Sequence, residues 1–221
     1  RKLAHVSSVA AIGRGRDGEL LTENTKWEPF SNNYALSKHY AEREVWRAAE
    51  EGLDTVIVNP CLVLGPGAWG KSSTNVFRAV WKGLKFYTEG SGAFVDVRDV
   101  SRTTIRLMDS AIVNERFLVV AENLPYRDLF NQLADGLGKP RARVKASRTM
   151  LALAWRLERV KSLFGGNTIG VTRETAQSAV AKTRYSNQKI TETLDYAFRP
   201  VDQSIKEICA LFLEDVQSSG T

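Results

Sequence analysis

Histidine and cysteine are scarce in this chain, with two of each among 221 residues. Cys61 and Cys209 lie far apart, and His5 and His39 stand at no metal-ligand spacing, so no metal site is expected. His5, inside an apolar run, reads as a satisfied interior side chain. So little cysteine suits a reduced compartment, and the expected location is cytoplasmic. Long apolar runs are missing too: none approaches the roughly 20 residues that span a bilayer, and no secretory signal opens the sequence. No membrane partner is therefore expected. Repeats and low-complexity tracts are also lacking. What remains is an ordinary globular composition, 43% hydrophobic and 25% charged, with enough length to bury a core.

The charge balance is 31 basic to 25 acidic residues, a net +6. Such an excess suits an anionic cofactor or substrate. A nucleic-acid binder would concentrate it in one arm with interleaved aromatics, so no nucleic-acid partner is expected. The one local cluster, Lys139-Pro-Arg141-Ala-Arg143-Val-Lys145-Ala-Ser-Arg148, has the period-2 pattern of the solvent face of an edge strand.

The sequence has no initiator Met, and Arg1-Lys2 leads straight into the apolar run Leu3–Ser7, which reads as a buried central strand. This suggests the later portion of a longer protein. A polar, Gly-rich segment from Gly13 to Pro29 reads as a surface loop. Ser31 or Asn32 can cap the helix that follows, which Gly52 stops. Next come the β-branched strand Thr55–Val58 and a loop forced by Pro and Gly over Asn59–Gly67. Strand, helix, strand makes a crossover unit of a parallel sheet. A helix over Asn75–Lys82, a strand near Phe94, a helix capped by Asp99, a strand over Arg116–Ala121 and a helix over Tyr126–Leu137 follow. Beyond them, helical patterns cover Thr149–Phe164, Arg173–Lys182, Asn187–Leu194 and Asp202–Val216. The expected organisation is a sheet domain over 1–140 and a mainly helical lobe over 141–221.

Tyr34 and Lys38 lie four residues apart on the first helix, on one face. An ammonium held close to a phenol favours the phenolate of a group whose ordinary pKa is about 10, a way to make an acid/base catalyst. Ligands of parallel α/β sheets sit beyond the carboxyl ends of the strands. Ser8 and the Asn59–Gly67 segment both lie there, and the loop before Tyr34 leaves from the same edge.

Four ordered segments carry a resemblance: Val6-Ser-Ser8-Val-Ala-Ala-Ile-Gly13, Tyr34-Ala-Leu-Ser-Lys38, Asn59-Pro-Cys-Leu-Val-Leu-Gly-Pro-Gly67 and Phe94-Val-Asp-Val-Arg-Asp-Val100. With them the chain resembles the extended short-chain dehydrogenase/reductase family, the epimerase/dehydratase type. The resemblance implies an α/β fold, the later part of a Rossmann-type doubly wound parallel sheet with a small helical substrate lobe. It implies an NAD(P)-dependent oxidoreductase in which Tyr34 is the general acid/base. Lys38 would assist Tyr34 and bind the nicotinamide ribose, and Ser8 would hold the substrate oxygen. Pro60, Cys61, Leu62 and Val63 would meet the nicotinamide, and Asn59 would reach toward substrate. Trp69 and Phe86 are candidates for the substrate pocket. The family also implies a homodimer built partly on the Tyr34 helix.

The family's Gly-x-x-Gly-x-x-Gly turn is absent from these residues, and Gly13-Arg-Gly-Arg-Asp-Gly18 lacks its spacing. The chain alone is therefore expected to be inactive. Within the family, the wording of Phe94–Val100 is similar to the dihydroflavonol-reductase branch, which implies carbonyl reduction with NADP ahead of NAD. A nucleotide-sugar epimerase or dehydratase, and a non-catalytic truncated relative, are the alternatives.

Overall fold

The computed structural model describes residues 1–13, 15–28, 32–69, 72–147, 149–153, 156 and 178–219. In chain order the elements are β1 (Lys2–Val6), β2 (Leu20–Leu21), α1 (Asn33–Glu50), β3 (Asp54–Pro60), β4 (Leu62–Leu64), α2 (Asn75–Trp81), β5 (Phe86–Tyr87), β6 (Ser91–Asp96), α3 (Val97–Asp109), β7 (Glu115–Val119), β8 (Glu122–Pro125), α4 (Tyr126–Gly136), β9 (Val144–Lys145), β10 (Arg184–Tyr185), α5 (Gln188–Leu194) and α6 (Val201–Ser219). Ser31, and most of the helices expected over 149–164 and 173–182, lie outside the described residues. Among the described residues no helix is long and apolar enough to cross a membrane.

The opening strand, the helix and the β-branched strand form the expected crossover. β1 and β3 run parallel, with Val6 opposite Val58, and β7 adds in parallel on the far side of β3, giving the order β1-β3-β7. Side chains alternate across this sheet. Val56 and Val58 join Leu107 of α3 in a core with Phe117, Val119 and Ile190. Asn59 points to the opposite face and meets Glu42 of α1.

Residues 59–67 form less of a loop than the prolines and glycines suggest. β3 continues through Pro60, Cys61 alone intervenes, and Leu62–Leu64 becomes β4. The reason is pairing: Leu62 and Leu64 run parallel to Phe94 and Asp96 of β6, whose other edge takes β8 antiparallel. The Gly13–Pro29 segment is a surface loop only in part: residues 15–20 are exposed, and the chain then folds back onto the protein. Its β2 pairs with β10, and Leu21 is buried. Glu23 is buried as well, and its carboxylate accepts the Leu118 N–H at 2.9 Å, covering the open edge of β7.

A second core joins α2, α4 and α6 through Leu64, Phe77, Leu129, Val201, Ile205 and Phe212, residues from both sides of position 140. Asp96, not Asp99, caps α3, accepting the Arg98 N–H at 2.8 Å. Asp99 is buried and accepts from the Tyr196 hydroxyl at 2.7 Å and the Arg199 N–H at 2.9 Å. It therefore fastens the chain entering α6 to α3. The basic run includes the short, exposed β9, with Lys145 paired to Glu89 at 2.6 Å and Arg141 to Asp135 at 2.6 Å. Arg148 lies outside the described residues.

Candidate active site

A cavity of about 780 Å³ opens at the carboxyl end of the central sheet. Val9 and Ala10, just past β1, and Cys61 and Leu62, just past β3, line one side of it. Asn32 and Ala35 add the first turn of α1; Phe94, Tyr126 and Tyr185 stand across from them. Parallel strands end together, so segments distant in sequence meet here.

Ser8 leaves β1 and caps the 3₁₀ turn Val9–Ile12, its Oγ accepting the Ala10 N–H at 3.2 Å. That bond uses an oxygen lone pair and leaves the O–H proton for donation. The Ser8 carbonyl accepts from Ala11 N at 3.0 Å and from Asn59 Nδ2 at 2.9 Å. Asn32 caps α1 by accepting the Ala35 N–H at 3.0 Å, which sets Tyr34 in the first turn. Tyr34 is 56% exposed, and the Lys38 ammonium lies 5.9 Å from its ring centroid. Ser8, Tyr34 and Lys38 do not line the cavity; their neighbours Val9, Asn32 and Ala35 do.

Of the other expected residues, Cys61 and Leu62 line the cavity, and Pro60 is buried at the end of β3. Val63 pairs with Val95. Burial pushes the Cys61 thiol far up, so it stays protonated and serves as a small apolar wall. Asn59 does not reach into the cavity. It is 0% exposed and its amide donates to the Ser8 carbonyl and to Glu42 Oε1. Trp69 also lies elsewhere, edge-on to Phe212 in the second core with its indole N–H donating to Asp215 at 2.7 Å. Phe86 is exposed on β5, paired with Val144, because the two-residue strand leaves that side chain facing solvent.

Sequence reasoning missed Glu42, Arg116 and the surroundings of His5. Glu42 is 2% exposed and lies 3.5 Å from Arg116. Its signal was present: it follows Lys38 by the same four-residue step that separates Lys38 from Tyr34. His5 is half-buried, neither fully interior nor satisfied, since its Nε2 is buried without a partner. Burial pushes its imidazole below the usual range, with Glu42 opposing and Lys38 assisting, so it is neutral at pH 7. Among the described residues no cluster of His, Cys, Asp or Glu could hold a metal ion.

Residues 1–121 match the family described as the NAD dependent epimerase/dehydratase family. The chain is 31% identical over 152 residues to sterol demethylase protein B of Methylococcus capsulatus, covering 65% of this chain and 45% of that protein. It is 31% identical over 139 residues to cinnamoyl-CoA reductase 1 of Petunia hybrida, covering 58% of this chain and 41% of that protein. Among solved structures, gox2253 superposes with a TM-score of 0.77 at 28% identity, covering 97% of this chain and 66% of that one. The chain thus spans less than half the length of these two curated relatives.

Proposed function

The chain belongs to the NAD dependent epimerase/dehydratase family, and we propose that the protein carrying it reduces a carbonyl group, or oxidises the matching alcohol, with a nicotinamide dinucleotide. The observation that supports this reading is one cavity at the carboxyl end of the sheet, lined by Cys61 and Leu62 and by Val9, Asn32 and Ala35, the chain neighbours of Ser8 and Tyr34. The likeness to a cinnamoyl-CoA reductase supports carbonyl reduction over epimerisation.

The residues present fit one end of the dinucleotide. Cys61 and Leu62 offer an apolar wall suited to a flat ring, and Lys38 offers a cation and donor for a ribose hydroxyl. A pyrophosphate would need a Gly-rich turn, which these 221 residues do not contain. The cofactor, NADP ahead of NAD, supplies the hydride when bound. Tyr34 then gives its phenolic proton to the carbonyl oxygen, or takes one from an alcohol. Lys38 stabilises the negative charge that this leaves on the phenolic oxygen, and the Ser8 hydroxyl donates to the substrate oxygen as charge develops there. Tyr40, exposed on α1, faces outward where a second copy of the chain would pair.

The test is turnover of aldehydes, ketones and nucleotide sugars by the full-length protein with either nicotinamide cofactor. Tyr34→Phe should lower carbonyl reduction about 10²- to 10⁴-fold while cofactor binding, read by titration, stays intact. Unchanged reduction, or turnover of nucleotide sugars alone, refutes the reading.

A further inference from the structure

Asn59 sits where three segments of the candidate site meet. One Nδ2 hydrogen goes to the Ser8 carbonyl at 2.9 Å and the other to Glu42 Oε1, so both are committed. Turning the amide over would set its oxygen against a carbonyl and a carboxylate with no hydrogen between them, so only one orientation serves. Asn59 is 0% and Glu42 2% exposed, so these bonds are shielded from bulk solvent. The second carboxylate oxygen of Glu42 faces Arg116 at 3.5 Å. Tyr34, Lys38 and Glu42 follow one another at steps of four along α1, on a single stripe.

The turn after Ser8 packs on the Tyr34 helix, and the Asn59 amide adds a directional polar link between the Ser8 carbonyl and Glu42 of that helix. Ser8 Oγ and the Tyr34 phenol come from separate elements, yet both must reach the same substrate oxygen. Packing brings those elements together and a directional link fixes their register, and a displacement of about 1 Å at such a site costs on the order of 10²-fold in rate. Without the Glu42 carboxylate, a buried Asn59 N–H loses its acceptor and the amide is free to leave the Ser8 carbonyl.

We propose that Glu42 is a positioning residue: through Asn59 it fixes the Ser8 turn against the helix that carries Tyr34 and Lys38. The proposal rests on the reading of Ser8 and Tyr34 as the pair that handles the substrate oxygen. Glu42 touches neither substrate nor cofactor in this role.

The experiment uses the full-length protein with Glu42→Ala, Glu42→Gln, Asn59→Ser and Ser8→Ala, alone and combined. Glu42→Ala should lower kcat about 10- to 100-fold with the KM for cofactor unchanged. Glu42→Gln keeps an acceptor oxygen for Asn59 while losing the charge that faces Arg116, and should restore kcat to within about 3-fold. In the Ser8→Ala background, Glu42→Ala should cost nothing further, because its effect runs through Ser8. Asn59→Ser, whose hydroxyl carries one hydrogen for two acceptors, should copy Glu42→Ala without stripping Arg116 of its partner. A second readout ignores turnover: amide hydrogen exchange over residues 8–12 should quicken in Glu42→Ala and not in Glu42→Gln. Losses that multiply between Glu42→Ala and Ser8→Ala, or unchanged exchange over 8–12, overturn the proposal. Quickened exchange with Ser8→Ala leaving kcat untouched supports the tether and overturns the role assigned to Ser8.

Discussion

Asp96 offers the most quantitative handle on what holds the two cores together. Its carboxylate accepts the Arg98 N–H and Nε at 2.8 Å each and Nη2 at 2.6 Å, and Arg98 Nη1 reaches on to Glu207 of α6 at 2.7 Å. Burial by itself would raise the Asp96 pKa, but the bonds from Arg98 and Ser204 outweigh it and hold it down at about 2, against an ordinary 3.8. At ~1.36 kcal/mol per pH unit that difference is worth at most about 2.5 kcal/mol. Asp96 is 1% exposed but the Arg98 side chain is 40% exposed, so solvent screening brings the contribution below that ceiling. A depressed carboxylate stabilises above its unfolded pKa, so the contribution is full above about pH 5, about half at pH 3, and gone below pH ~2. Asn at this position keeps one acceptor for the cap but turns an NH₂ toward Arg98 Nη2, donor against donor. Urea unfolding of the full-length protein should therefore show Asp96→Asn less stable by about 3 kcal/mol at pH 7, with the gap narrowing by about 1 kcal/mol at pH 3. A gap under about 1 kcal/mol at pH 7, or one indifferent to acidification, refutes the clamp.

Three further outcomes follow from the same contacts. Tyr196, pushed up to about 12 by burial and by its bond to Asp99, favours the fold while neutral, and that advantage is lost as pH rises from 10 to 12. Tyr196→Phe should cost about 1–2 kcal/mol at pH 7 and flatten the alkaline fall of a stability-against-pH curve. A Cβ on Gly65 would lie 2.7 Å from Val97 Cγ1, so Gly65→Ala should lower thermal stability by about 1–3 kcal/mol, and adding Val97→Ala should recover most of it. Burial raises both thiols, Cys209 to about 12, so neither it nor Cys61 should alkylate in the native protein at pH 8; peptide mapping that finds Cys61 modified before unfolding contradicts its burial.

Much of the architecture was legible because local rules and tertiary packing agree. The apolar run from Leu3 to Ser7, the β-branched run at Thr55–Val58 and the caps and glycine stops of α1 each announce their element, and the crossover rule joins them into a parallel sheet. β1, however, stands at an edge of the described sheet with Leu3 and Val6 exposed, instead of in a buried centre. Where the structure departs from the local pattern, partners distant in sequence decide. Asp99 looked like a cap because acidic residues favour helix starts, but Tyr196 and Arg199 draw it inward. Pro60 and Gly65 punctuate a segment that Phe94–Asp96 nonetheless recruits as a strand. Trp69 and Phe86 were aromatic residues in a plausible stretch, and aromatic character alone does not say which surface a ring will cover.

The residue types and their order within α1 determined that Tyr34, Lys38 and Glu42 share one stripe, since helical spacing needs only the local chain. The same chemistry in sequence also marked Ser8 and Asn59 as polar residues at strand ends. Only the tertiary structure decided what Asn59 does. Its fully buried amide has two hydrogens and finds its two acceptors on segments 51 and 17 residues away, a match that depends on how β1, β3 and α1 pack and that no local pattern encodes.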